Sequence, residues 1–86
     1  MPEISRFYGI KIAMYPDDHN PPHFHVAYSG SKAVIGINNF ALLQGSLPPK
    51  ALSLVVEWAV LHKEELLEDW ELSINLQSPK KIEPLV

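Results

Sequence analysis

Three of the four histidines of this chain fall within seven residues, in the run Asp17-Asp18-His19-Asn20-Pro21-Pro22-His23-Phe24-His25-Val26. Imidazoles this close together, beside two carboxylates, support two kinds of chemistry. The first is metal ligation. His23 and His25 are two apart, so on a strand their rings leave one face with α-carbons ~6.5 to 7 Å apart, within reach of a single ion. His19, in the preceding loop, would add a third ligand. Three imidazoles and an open position describe a catalytic zinc site, with Asp18 or Asp17 closing the fourth position or orienting a ring. The second chemistry needs no metal. Two histidines acting as acid and base can cleave RNA by moving protons at the attacking 2′-hydroxyl and the leaving oxygen, with Lys11 or Lys32 stabilising phosphate charge. Tyr15 and Asn38 would position the groups. A plainer reading is structural: His19 and Asn20 build a turn before two prolines, Asp18 accepts backbone amide bonds, and His23 and His25 pack on a partly wet sheet face.

The elements that must hold these side chains are legible from periodicity. Residues of about 6–15 alternate, with Tyr8, Ile10, Ile12 and Met14 on one side and Phe7, Gly9, Lys11, Ala13 and Tyr15 on the other, and predict a strand. Pro16 and the Asp-Asp-His-Asn-Pro-Pro stretch end it, because proline removes a donor and Asp and Asn favour local turns. A second strand is expected over about 23–29, a tight hairpin at Ser29-Gly30-Ser31-Lys32, and a third strand over about 32–40. With Gly30 and Ser31 as central turn residues, Tyr28 faces Ala33, Val26 faces Ile35 and Phe24 faces Ile37. His23 then lies beside Asn38 and His25 beside Gly36 on the opposite face, with Tyr15, Ala13 and Lys11. The small residues Ala13, Ala27 and Gly36 leave room for a ligand or another backbone to approach.

Gly45-Ser46-Leu47-Pro48-Pro49 reads as a helix start, with Ser46 or Leu47 near the cap. One long helix is expected over about 49–71. Leu52, Val55, Val56, Ala59, Leu66 and Trp70 form its core stripe, and Leu54, Trp58 and Leu61 widen it beyond what a small sheet needs, which points to a second buried surface. Glu64, Glu65, Glu68, Asp69 and Glu71 read as a solvated face or as contacts for a basic partner. His62 reads as a packed or half-exposed helix residue rather than a ligand. Residues 71–76 fit either a helix extension or a short strand, and Pro79 to Leu85 reads as an extended segment suited to a sheet border. The expected fold is therefore α+β: an antiparallel three-stranded β-meander packed on one helix, with an extended C-terminal segment as a candidate edge strand, in a single domain over 1–86.

Composition narrows the function classes. A chain of 86 residues makes a modest core that a partner or a second copy would complete. Without cysteine there is no disulfide framework and no thiolate site. The N-terminus lacks the pattern of a signal peptide, and Glu57 and His62 interrupt the longest apolar stretches, so a cytoplasmic protein with no membrane association is expected. A formal charge of −3 weighs against a broad electrostatic grip on RNA, although a local patch is compatible with it.

Several segments together resemble one family. They are Met1 to Ile10, Asp18-His19-Asn20-Pro21-Pro22-His23-Phe24-His25, Glu57-Trp58, Glu64-Glu65-Leu66-Leu67, Trp70-Glu71-Leu72, and Lys80 to Leu85. This is the pattern of domain of unknown function 4160, a group of small prokaryotic proteins with a DHxPPHFH box, and the likeness runs over nearly the whole chain. Ser73-Ile74-Asn75-Leu76 departs from it, since the family has a more polar helix end there. The resemblance implies a small stand-alone cytoplasmic protein encoded beside another short protein, an arrangement similar to toxin–antitoxin pairs, and brings no established catalytic residues. Two functions follow as expectations. One is a toxin–antitoxin-like or regulatory interaction component that engages a protein partner or itself. The other is a hydrolase or ribonuclease dependent on His19, His23 and His25, with or without metal.

Overall fold

A computed structural model of the chain describes residues 3–16 and 19–85. Five strands follow one another: β1 (Glu3–Phe7), β2 (Ile10–Ala13), β3 (His23–Tyr28), β4 (Ser31–Gly36) and β5 (Leu42–Gly45). Two helices close the chain, α1 (Pro49–Leu61) and α2 (Lys63–Ile74). The strands form one antiparallel sheet in the order β1-β2-β3-β4-β5, so each pairs with its neighbour in sequence. The α+β class is as expected, but there are five strands rather than three and two helices rather than one.

Each difference has a local cause. The expected first strand is a hairpin. Tyr8 and Gly9 both take positive φ, 50° and 78°, the geometry of a two-residue type I′ turn, and Phe7 pairs with Ile10. Phe7 is therefore buried and Tyr8 exposed, the reverse of the uninterrupted alternation. The β3–β4 turn is centred on Ser29 and Gly30, φ 46° and 84°, one position earlier than predicted. The register thus shifts by two: Phe24 pairs with Ile35, His25 with Val34 and His23 with Gly36. A shift of two preserves the faces, so the histidines still point away from Phe24 and Val26. The expected third strand ends at Gly36 because Asn38 and Asn39 make a turn, with Asn39 Oδ1 accepting the Ala41 amide at 3.1 Å. The chain then returns as β5.

The helix breaks at His62 (φ −121°, ψ 25°). Its carbonyl accepts the Leu66 amide and so starts α2. Of residues 71–76, Glu71 to Ile74 extend α2, and Asn75 and Leu76 form the turn that ends it. The amide of Leu76, at φ 61°, bonds Ser73 O and that of Gln77 bonds Leu72 O, which is the Schellman arrangement with leucine in the position glycine usually takes. At the start of α1, Pro48 is the capping residue and no side chain caps the helix.

The core lies between one sheet face and the helices. Ile10, Ile12, Met14, Phe24, Val26, Ile35 and Ile37 meet Ala51, Val55, Trp58, Ala59, Leu66 and Trp70. Trp58, expected as surplus, is fully buried at the centre against Phe7 and Phe24. Leu61 is exposed, and so is Val60. The C-terminal segment forms no assigned strand. It runs beside β1 as a strap: Ile82 N–H bonds Ile4 O at 2.8 Å, Trp58 Nε1 donates to Glu83 O at 2.8 Å, and Ile82 enters the core.

Candidate functional site

Strand alternation sends Lys11, Ala13, His25, Ala27, Lys32 and Val34 to the sheet face opposite the helices, the outer face. His25 sits in the middle of that face, flanked across the ladder by Ala13 and Val34. Tyr15, just beyond β2, places its ring edge-on to His25 with centroids 4.5 Å apart. The His23 ring lies 5.3 Å from that of His25, also edge-on. Tyr15, His25 and His23 thus form a continuous, half-buried ring cluster.

His23 is also the link between the two layers. It opens β3 at the end of the sheet, and its ring lies 5.0 Å from that of Trp70, a buried residue of α2. Its Nδ1 lies 2.7 Å from Pro21 O. A carbonyl only accepts, so Nδ1 carries the proton and, in the neutral ring, Nε2 is left as the basic nitrogen. The Pro21-Pro22 segment, entered through a cis Asn20–Pro21 bond, therefore orients the imidazole. That is the service a positioned acid or base requires.

The other candidates are placed as follows. Lys11 is exposed on the outer face, opposite Arg6 on one side and Ala27 on the other. His19 is exposed in the loop before the prolines. Asp17 and Asp18 lie outside the described residues. Asn38 is carried past the ladder into the β4–β5 turn, where its carbonyl accepts Lys63 Nζ at 3.0 Å, and Gly36 occupies the place opposite His23. Among the described residues no group of three or more His, Cys, Asp or Glu gathers to hold an ion. His62 pairs with Glu65 at 2.6 Å and stacks 5.6 Å from Trp58, away from the cluster.

Two features of the site were not anticipated from the sequence. Trp70 was expected in the helix stripe, and nothing in the linear order placed its ring against His23. Arg6 joins Lys11 on the outer face only because Tyr8-Gly9 is a turn. Arg6 is held by a two-pronged pairing with Glu3 at 2.7 and 3.3 Å, and that hydrogen bond keeps the Glu3 carboxyl below the usual range. Of the acidic run on α2, Asp69 is buried rather than solvated. One of its oxygens accepts the Lys80 amide at 2.8 Å and the other has no partner among the described residues, so burial pushes its carboxyl above the usual range. A cavity of about 540 Å³, lined by Ile10, Tyr28, Ala51, Leu54 and Leu85, lies at the hairpin-turn end of the core and contains none of the candidate residues.

These features define a small α+β protein: an antiparallel meander covered by helices on one face and carrying an aromatic–histidine cluster on the other. The chain matches the model of the family described as Domain of unknown function (DUF4160) over residues 9–71, and it belongs to that family. No curated protein and no solved structure matches it. No helix among the described residues is long and apolar enough to cross a membrane.

Proposed function

We propose that this protein is a toxin–antitoxin-like or regulatory interaction component whose working surface is the outer face of the sheet. One observation carries the reading. Both helices and the strap pack on the core face, while the outer face keeps a half-buried ring cluster next to two buried small residues, Ala13 and Gly36. A sheet face with small residues beside aromatic rings admits close approach of another surface. Exposed Val60 and Leu61 at the helix junction, 57% and 68% accessible, offer a second apolar contact for a protein partner or a second copy.

Light scattering and cross-linking test this on the purified chain, alone and with any short protein found encoded next to it. The expected result is a complex of defined stoichiometry that Val34→Arg, a substitution at a half-exposed outer-face position, weakens at least tenfold. A monomer under both conditions would overturn the proposal.

A second reading, hydrolysis of phosphodiesters by His23 and His25 with or without a metal, is favoured by the fixed His23 tautomer and the nearby Lys11. It predicts RNA cleavage that survives repurification and disappears in both His23→Ala and His25→Ala. Cleavage retained by either variant counts against it.

A further inference from the structure

The net charge of −3 conceals a sorting of charge between the two layers. Helix α2 carries Glu64, Glu65, Glu68, Asp69 and Glu71 against the single Lys63, while in α1 Glu57 is balanced by Lys50. On the outer sheet face, the one acidic side chain among the described residues is Glu3, and Arg6 pairs with it. The ladder then sets Arg6, Lys11, Ala27 and Lys32 in a single row across β1, β2, β3 and β4. Adjacent strands are ~4.8 Å apart, so the three cations span roughly 14 Å with a small residue between the two lysines. Lys11 and Lys32 are exposed and make no ion pair among the described residues. The row lines a shallow concavity of about 270 Å³ floored by Ala27. One row further along the same face, ~7 Å away, stands His25, with the rings of Tyr15 and His23 beside it.

A cation row beside a ring cluster is what a single strand of nucleic acid requires: cations for its phosphates and ring faces for its unstacked bases. We infer that the outer face binds single-stranded nucleic acid, with Lys11 and Lys32 on the phosphodiester backbone, the Glu3-held Arg6 beside them, and the Tyr15–His25–His23 cluster against the bases. This rests on the outer face being the working surface and names the chemistry that it takes. An acidic protein would satisfy the lysines but would leave the rings without a role.

The test is fluorescence anisotropy on the full chain with labelled oligouridine and oligothymidine. Glu3 already compensates Arg6, so the two unpaired lysines give a log–log salt slope of about −1.4, and affinity should fall about 7-fold between about 50 and 200 mM salt. In the double variant Lys11→Gln, Lys32→Gln, no uncompensated cation of the row remains, and the same change in salt should leave affinity nearly unchanged. His25→Ala should weaken binding about fivefold or more at an unchanged slope. Binding of either oligonucleotide with this pattern supports the inference. No binding, a slope unchanged in the double variant, or equal competition by polyglutamate with no effect of His25→Ala overturns it. The two proposals separate in the same samples. If anisotropy is flat while Val34→Arg still disrupts a complex seen by light scattering, nucleic-acid binding fails and the outer-face reading stands. If that complex is also absent, both fail.

Discussion

Replacing Ile82 with alanine tests whether the C-terminal strap is part of the fold. The Ile82 side chain is 4% accessible and belongs to the core cluster, and the strap is held at three points. Lys80 N–H donates to Asp69 Oδ1, Ile82 N–H donates to Ile4 O, and Trp58 Nε1 donates to Glu83 O. The substitution leaves all three hydrogen bonds available and removes only buried hydrocarbon, so its cost is the transfer and cavity cost of an isoleucine, about 2–4 kcal/mol. At 0.05–0.15 kcal/mol per residue, a chain of this size has roughly 4–13 kcal/mol of stability, so the loss is a large share of the whole. Each kcal/mol moves the melting temperature of a domain this small by about 4–8 °C, so the midpoint should fall by at least ~8 °C. Both tryptophans are buried, so urea or thermal unfolding followed by tryptophan emission reads the change directly. Glu83→Ala is the control: its side chain is exposed and only its carbonyl is engaged, so stability should stay within ~0.5 kcal/mol. An Ile82→Ala protein as stable as wild type would refute a docked strap and with it the account of the Trp58 hydrogen bond.

Three further outcomes follow. Asp69→Asn should become more stable relative to wild type as pH rises above the ordinary carboxylate range. Burial raises the Asp69 pKa in the folded state, so its contribution is full below the unfolded value and is lost as pH rises through the folded one. A stability difference that stays constant from about pH 3.5, just below the ordinary aspartate value, up to about pH 7 would contradict this. Gly30→Ala and Gly45→Ala should differ although both glycines have positive φ. A Cβ on Gly30 meets nothing and costs about 1 kcal/mol of backbone strain, whereas one on Gly45 collides with the Lys32 backbone and should cost at least twice as much in urea unfolding. Equal costs would argue against the pairing of β5 with β4. Trp58→Phe should cost about 1–2 kcal/mol, because it removes the indole donor to Glu83 O and some volume from a fully buried position. No loss in a melting experiment would mean that the strap is not held there.

The sequence was most readable where side-chain alternation and burial agree. Phe24 and Val26 inward with His23 and His25 outward survives the register correction because the error was an even number of residues. The Tyr8-Gly9 hairpin was hidden because the residues on both sides keep alternating, and a tyrosine at positive φ is rare enough that Gly9 alone did not signal a turn. The break at His62 was hidden because the apolar period carries on through it: Ala59 and Leu66 both face the core. For the site, the sharing of one face by Tyr15, Lys11 and His25 was legible from parity. The contact of His23 with Trp70 was not, since it depends on how α2 turns after the break. The placement of Asn38 beside His23 failed for the same reason as the strand end, because a turn at 37–40 was read as extended chain.

The family match at 9–71 excludes β1 and the strap, yet these two segments meet each other and complete the structure. Ile4 and Phe7 from one and Ile82 from the other are buried in the same core, and the backbone bond from Ile82 to Ile4 ties them together. At roughly 1.5–3 kcal/mol for each buried side chain, they account for a sizeable part of what a chain this small can have. β1 also has a consequence for the outer face. It supplies Arg6 to the cation row and Glu3 to hold that guanidinium, so the strand that closes the core on one side extends the charged surface on the other. A net charge read along the chain averages that surface with the acidic helix α2 behind it. The fold separates the two by the thickness of a sheet, and it is the separated surface that a phosphate would meet.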